Sequence, residues 1–345
     1  MIYPLTTNPP LKNPIEGWIE LGMKLYQHAL LCAAMSASFV SRACDHHRRE
    51  VTLREVSQGN NAPKVIAAFQ PWFGDPDHIR IEYNSNDPEV IRKQIQQAKQ
   101  MGIYAFAVDW YGARHPFLDR TYALMQQLAN KEHFHVALMY DETEEDNGHA
   151  TEDALDAFST AYKSYIGPSA SGRDAYLRYQ GRPVIFIFPK RGNTDWNRVR
   201  EMVNQWEKPP ILLYKDDPPP QYAKSFEGEY AWVHPGPKGW AADGSEWGEE
   251  YLENFYKKMS KRHDQITVGT VWPGFDDTRA SWSLNRHIDQ RCGKTFKDTL
   301  GMFAENNDAD HPMPFVLIAT WNDYEEGTAI ESGLAHCGSP QSPSS

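Results

Sequence analysis

From residue 65 onward, short runs rich in Val, Ile, Phe and Ala alternate eight times with longer segments of helical period. That rhythm leaves few folds open. The strand candidates are VIAAFQ (65–70), YAFAVDW (104–110), HVALMYD (135–141), VIFIF (184–188), ILLYKD (211–216), YAWVHP (230–235), TVGTVWP (267–273) and FVLIATWND (315–323). Between them lie segments with helix signals. In DPEVIRKQIQQAKQMG, Asp87 stands at an N-cap, Pro88 in the first turn and Gly102 at the end, with Val90, Ile91, Ile95 and Ala98 on one face. FLDRTYALMQQLANK, TEDALDAFSTAYKSYIG, TDWNRVREMVNQW, EWGEEYLENFYKKMSKRH and KTFKDTLGMFAENN follow the same logic, and only PPPQYAKSF is too short for a full helix.

Apolar strands alternating with helices imply a parallel sheet covered by helices. Eight units fit a single α/β domain of the (β/α)8 TIM-barrel class, for which about 250 residues is typical. A doubly wound open sheet is the competing arrangement. No GxGxxG or GxxxxGK[ST] turn follows the first strand, so a nucleotide-binding version would lack its phosphate cradle.

A barrel predicts where function sits, because its active site is built at the C-terminal ends of the strands. Those ends read FQPWFGDPDH, VDWYGARH, YDETEED, FPKR, YKDD, VHPGPKGW, WPGFDDTR and TWNDYEEGT. Nearly all combine aromatic with acidic or amide residues. C–H-rich sugar faces pack on aromatic rings while hydroxyls pair with Asp, Asn, Gln and His, so the pattern suits a carbohydrate. The formal net charge of -11, with no basic stripe, argues against a nucleic-acid or anionic-membrane surface.

Cleaving a glycosidic bond takes two carboxyl groups, one to protonate the leaving oxygen and one as base or nucleophile. Asp323 and Glu326 are three apart after the eighth strand, so a turn brings both to one side. Glu325 is expected to point elsewhere, to solvent or to an Arg. Expected substrate-binding residues are Gln70, Trp72, Asp109, Trp110, Tyr111, Asp141 and Glu142 from the first three strand ends. His234, Trp272, Phe275, Asp277, Trp321 and Asn322 complete the set from the later ones. The competing account of each is a rim residue that braces a loop, and Asp276, Asp277 and Arg279 would equally make a local ion-pair network.

Metal chemistry finds little support. The acidic run DETEEDNG (141–148) lacks EF-hand spacing, and the four Cys (Cys32, Cys44, Cys292, Cys337) show no CxxC pair. His78 is a candidate for a sugar hydroxyl, His46 and His47 read as linker, and His234, His78 and His115 form no paired metal spacing. No metal and no cofactor are expected.

TWNDYEEGTAIE resembles the WNE(W/Y)xEGTxIE signature of glycoside hydrolase family 99, the endo-α-mannosidases and endo-α-mannanases. FQPWFGDPDH, FAVDWYG and VWPGFDDTR are similar to that family's first, second and seventh strand ends, in the right order. The resemblance covers residues 65 to about 334 and implies a barrel hydrolase of α-linked glycans. It places a base acting on the sugar's own 2-hydroxyl at Asp323 and the general acid at Glu326. Asp323 stands where that family has Glu, shortening the side chain by one carbon–carbon bond, roughly 1.5 Å at most. The same stretch also resembles WNDYGES of glycoside hydrolase family 71, the α-1,3-glucanases, whose mechanism is thought to invert. Retention and inversion therefore both stay open, as does a sugar-binding or polysaccharide-assembly protein that kept the barrel and lost hydrolysis. The two carboxyls are expected at the open end of the barrel beside Trp72, Trp110 and Phe275.

The N-terminal segment from Met23, MKLYQHALLCAAMSASFVSRAC, has the layout of a secretory signal and is too short for a permanent membrane span. It predicts a secreted, periplasmic or cell-surface protein, with residues 1–60 as extension and linker, 61–336 as the barrel and 337–345 as a disordered tail. In an exported chain Cys292 can pair with Cys337, and Cys44 is a candidate lipid attachment site. The expected partner is an oligo- or polysaccharide, and the expected state a monomer.

Overall fold

The computed structural model describes residues 50–59, 62–142, 148–190, 193–235 and 246–334. The chain divides into two units, Met1–Arg48 and Arg49–Ser345, and every described residue belongs to the second. The signal-like segment, Cys44, His46, His47, Cys337, the tail and most of the acidic run 141–148 lie outside the described residues. Cys292 is disulfide-bonded.

Eight parallel strands close into a barrel: β1 Lys64–Phe69, β2 Ala105–Trp110, β3 His135–Asp141, β4 Arg182–Phe188, β5 Ile211–Lys215, β6 Gly228–Tyr230, β7 Ile266–Val271 and β8 Phe315–Ile318. Neighbours in sequence are neighbours in the sheet. Closure comes from β8 on β1, with Lys64 opposite Phe315, while Leu138 faces Ile185 across β3 and β4. Nearly every residue of β1, β2 and β8 is buried, which is why these strands read as unbroken apolar runs rather than alternating ones.

Helices α1 Pro88–Gln100, α2 Pro116–Lys131, α3 Ala150–Ala161, α4 Trp196–Val203, α5 Glu249–Met259 and α6 Lys294–Asn306 cover the outside. Asp87 caps α1 by accepting from the Glu89 N–H at 2.8 Å, and Pro88 fills the first turn, where a missing N–H costs nothing. Its inner face is Ile91, Gln94, Ile95 and Ala98, so Gln94 takes the place expected of the half-buried Val90. Gln94 is tolerated there because its amide donates to Glu331 at 2.9 Å. Only 3-10 turns, Pro220–Ser225, follow β5, as three consecutive prolines require.

Two strands end earlier than their apolar runs. The sixth pairs over 228–230, not 230–235, although Ala231, Trp232 and Val233 are buried. Side chains take over the backbone groups there: Thr270 Oγ1 donates to Ala231 O at 2.6 Å and the Trp232 N–H donates to Tyr251 Oη at 3.1 Å. The eighth stops at Ile318 instead of 323: the Ala319 and Trp321 N–H groups still donate to Val271 O and Ala68 O on the neighbouring strands, but the Thr320 N–H turns to Thr328 O in its own loop.

Candidate active site

That loop closes on itself. The Thr320 N–H donates to Thr328 O at 3.0 Å, the two threonine hydroxyls meet at 2.9 Å, and Ile330 and Glu331 both donate to Trp321 O. Residues 323–327 form a tight turn that ends on Gly327 at φ +63°, a left-handed conformation that glycine adopts without a steric penalty. The turn folds Asp323 back on its own chain: Oδ1 accepts the N–H groups of Glu325 at 3.0 Å and Glu326 at 2.8 Å. One carboxylate thus fixes the backbone that carries the other.

The second oxygen of Asp323 lies 3.5 Å from Gln70 Nε2. Asn322 pins the backbone of Gln70, accepting its N–H at 2.7 Å and donating to its carbonyl at 2.9 Å. Glu326 is half-buried, and its Oε1 accepts from the indole N–H of Trp282 at 3.1 Å. Both carboxyls line a cavity of about 660 Å³ at the C-terminal ends of the strands. Gln70, Trp72, Asp109, Tyr111, Asp141 and Glu142 line it with them.

The cavity is crowded with acids. Asp109, 6% exposed, is held well above the usual carboxylate range, chiefly by burial, then by the charges of Asp141 and Asp323, with Lys190 opposing. Asp141 has its own cation, Lys190 Nζ at 3.2 Å. Burial also raises Asp323, with the charge of Glu326 adding to it, and burial raises Glu326. Three buried polar atoms on this wall, Gln70 Oε1, Trp72 Nε1 and Asp109 Oδ1, have no hydrogen-bond partner among the described residues. A ligand rich in hydroxyls would supply both the donors and the acceptor they lack.

Asp109 also sets a stability expectation. The folded chain keeps its proton where the unfolded chain has already lost it, so stability is greatest below the ordinary aspartate value, about 3.9. It falls as pH rises from there through the folded-state value. Asp109→Asn removes that fall, so thermal unfolding should show the variant more stable than the native protein by about 1 kcal/mol at neutral pH, with less difference at pH ~4. Equal melting temperatures at both pH values would refute the burial argument.

No family model matches the chain, and no curated protein matches it. Solved structures do. The GH99 endo-alpha-mannosidase from Bacteroides thetaiotaomicron, in complex with BIS-TRIS-Propane, superposes with a TM-score of 0.56 at 19% identity over 77% of this chain and 86% of that one. A second structure of the GH99 endo-alpha-mannosidase from Bacteroides thetaiotaomicron gives 0.56 at 18% identity, covering 77% and 87%. A glycoside hydrolase-like protein gives 0.52 at 13%, covering 81% and 92%. The fold is GH99-like.

Seven residues expected to bind substrate do not line the cavity. Trp110 points outward, where its N–H donates to Asp119 at 3.0 Å and its ring meets Tyr140 and Tyr165. Trp272 donates to Trp247 O at 3.1 Å, and Trp321 packs on Phe106; both are fully buried. Phe275 lies under the Arg286 guanidinium at 5.1 Å. Asn322 is spent on Gln70, and the exposed His234 stacks on Tyr251. Asp277 is fully buried and accepts from Ser283, Leu284 and Arg286. Burial works to raise its carboxyl, and those hydrogen bonds outweigh it and hold it low. Its ion-pair partner is Arg286, not Arg279.

Glu325 also departs from expectation. It is buried, with His78 Nδ1 at 2.9 Å and the Ile79 N–H at 3.1 Å on its oxygens, and no Arg among the described residues pairs with it. His78 in turn stacks flat on Trp72 at 4.5 Å. Glu142 lines the cavity, yet its oxygens accept the N–H groups of Lys190 and Thr194, so it shapes the loop after β4.

Sequence reasoning passed over Arg114, His115, Met139, Asp153, Phe188, Lys190, Trp232 and Trp282, which line the cavity as well. Arg114, His115 and Lys190 stood in the strand ends VDWYGARH and FPKR. Met139 is two before Asp141 on β3, so strand alternation alone would have found it. Trp282 had no signal. No described helix is long and apolar enough to cross a membrane, and no described group of three or more His, Cys, Asp or Glu could hold a metal.

Proposed function

We propose that this barrel is a glycoside hydrolase that cuts α-linked glycans of mannan or glucan type, with Glu326 as general acid and Asp323 as base. The observation that carries the reading is the juxtaposition in one cavity of two carboxyls on a single turn with three unpartnered, buried polar atoms of the residues that line it. The turn suits paired acid and base work, and the atoms suit a polyol. Glu326, raised by burial, keeps its proton to higher pH than a free glutamate, as a proton donor must. The GH99-like fold is consistent with this, since that neighbour is an endo-alpha-mannosidase. Gln70, Trp72, Asp109, Tyr111 and Asp141 would hold the sugar ring, and no cofactor enters. The disulfide at Cys292 and the signal-like segment from Met23 support export to an oxidising compartment.

The test is product release from a panel of α-mannans, α-1,3-glucans and related α-glycans, with the first-formed anomer followed by NMR. A retained anomer would favour a base on the 2-hydroxyl, and an inverted one a base on water. Binding without release from any α-glycan would replace the hydrolase by a sugar-binding protein.

A further inference from the structure

Among the described residues, the large hydrophobic side chains left exposed are Trp282, 41%, and Leu284, 67%, and both stand in the loop 277–286. Asp277 holds this loop in shape: it accepts from Ser283 Oγ at 3.0 Å, the Leu284 N–H at 3.1 Å, and the Arg286 N–H and Nε at 2.7 Å each. The loop is flanked by a two-stranded ladder, Phe275–Asp276 with His287–Ile288. That ladder is tied to the acidic turn, because the Asp276 N–H donates to Glu326 O at 2.8 Å. Trp282 is therefore placed on Glu326 by a framework that includes Glu326 itself. Its ring meets Trp72 and His78 edge-on, at 6.2 and 6.1 Å, and lines the cavity.

A leaving oxygen must come within hydrogen-bond reach of its proton donor, about 2.6–3.2 Å. The departing sugar ring starts at that atom. Trp282 touches the same carboxyl of Glu326 and exposes its ring beside it. We infer that Trp282 is the aromatic platform of the leaving-group subsite and the positioning residue of Glu326, so that this loop selects glycans whose departing part is itself a sugar. The inference rests on Glu326 being the acid. As the C–O bond breaks, its electron pair stays on oxygen and takes the proton of Glu326. The carboxylate so formed accepts the Trp282 N–H, which strengthens as the charge develops.

The discriminating substrates are the α-glycan cleaved fastest in the panel and the α-glycosyl fluoride of the same sugar. The fluoride leaves with no sugar ring and little need of a proton. Trp282→Ala should lower kcat/KM on the glycan by about 10- to 100-fold and on the fluoride by less than about 3-fold. Trp282→Phe should restore most of KM, since the ring remains, and move the alkaline limb of the kcat/KM profile upward. The sign follows from the lost donor: an N–H that favours the ionised carboxylate is gone, so Glu326 keeps its proton to higher pH. Asp323, Asp277, Arg286, Lys190 and Lys215 also act on Glu326 and are unchanged in the variant, so the displacement belongs to Trp282. Equal losses on both substrates, or a Trp282→Phe profile that coincides with the native one, would overturn the assignment. No turnover of any substrate by the native protein would instead overturn the hydrolase reading beneath it.

Discussion

Glu326→Gln should lower kcat/KM on the responsive α-glycan by about 10³-fold, within the range that a positioned general acid contributes. The amide is isosteric and its oxygen can still accept from Trp282, so the fold should change by no more than about 0.5 kcal/mol. What is lost is the proton. In the native protein burial raises Glu326, so the protonated acid persists to higher pH than an ordinary glutamate allows. Asp323 must lose its proton to serve as base, and burial raises it too. Activity should therefore appear only above the ordinary aspartate range and decline once both carboxyls are ionised, giving a bell displaced upward on both limbs. Because the two carboxyls interact, the two apparent values belong to the pair. In Glu326→Gln the descending limb should vanish, since the group that produces it is gone. A variant with a tenth or more of native activity and an intact descending limb would remove Glu326 from the mechanism.

The barrel was legible because its cause is repeated eight times, and a signal repeated eight times survives local errors such as the displaced sixth strand. The acidic turn was legible because Asp323 and Glu326 are close in sequence, so local geometry alone unites them. The aromatic wall was half legible, for a reason that Asp109 and Trp110 display side by side. Position along the chain says that both are at a strand end; strand alternation sends Asp109 inward and Trp110 outward to Asp119. Asn322 and Asp277 misled in another way. A polar residue at a strand end serves a ligand or the backbone equally well, and here Asn322 holds Gln70 and Asp277 holds the loop of Trp282. Trp282 itself reaches the site from 44 residues before Glu326, through a loop whose shape depends on one buried aspartate. No periodicity encodes such a reach.

Asp323→Asn should be at least as damaging as loss of the acid, about 10³-fold or more in kcat/KM, and it separates two jobs that one carboxylate performs. Its Oδ1 is structural: it accepts the N–H groups of Glu325 and Glu326, and an asparagine oxygen can accept the same pair. Its Oδ2, beside Gln70, is the atom free to take a proton. Asparagine keeps the first and abolishes the second. The variant should therefore fold normally, bind an intact oligosaccharide with about native affinity and fail to cleave it, and removal of one buried acid should make it slightly more stable at neutral pH. Asp323→Ala removes both jobs. The two N–H groups it leaves unaccepted cost about 1–3 kcal/mol each where no water reaches them, and the freed turn no longer aims Glu326. Thermal unfolding beside kinetics tells the cases apart, because Ala should lose stability and activity together while Asn loses activity alone. If Asn retains turnover while Ala abolishes it, Asp323 is the bracket of the turn and not the base, and the base must be sought among Asp109 and Asp141 across the cavity.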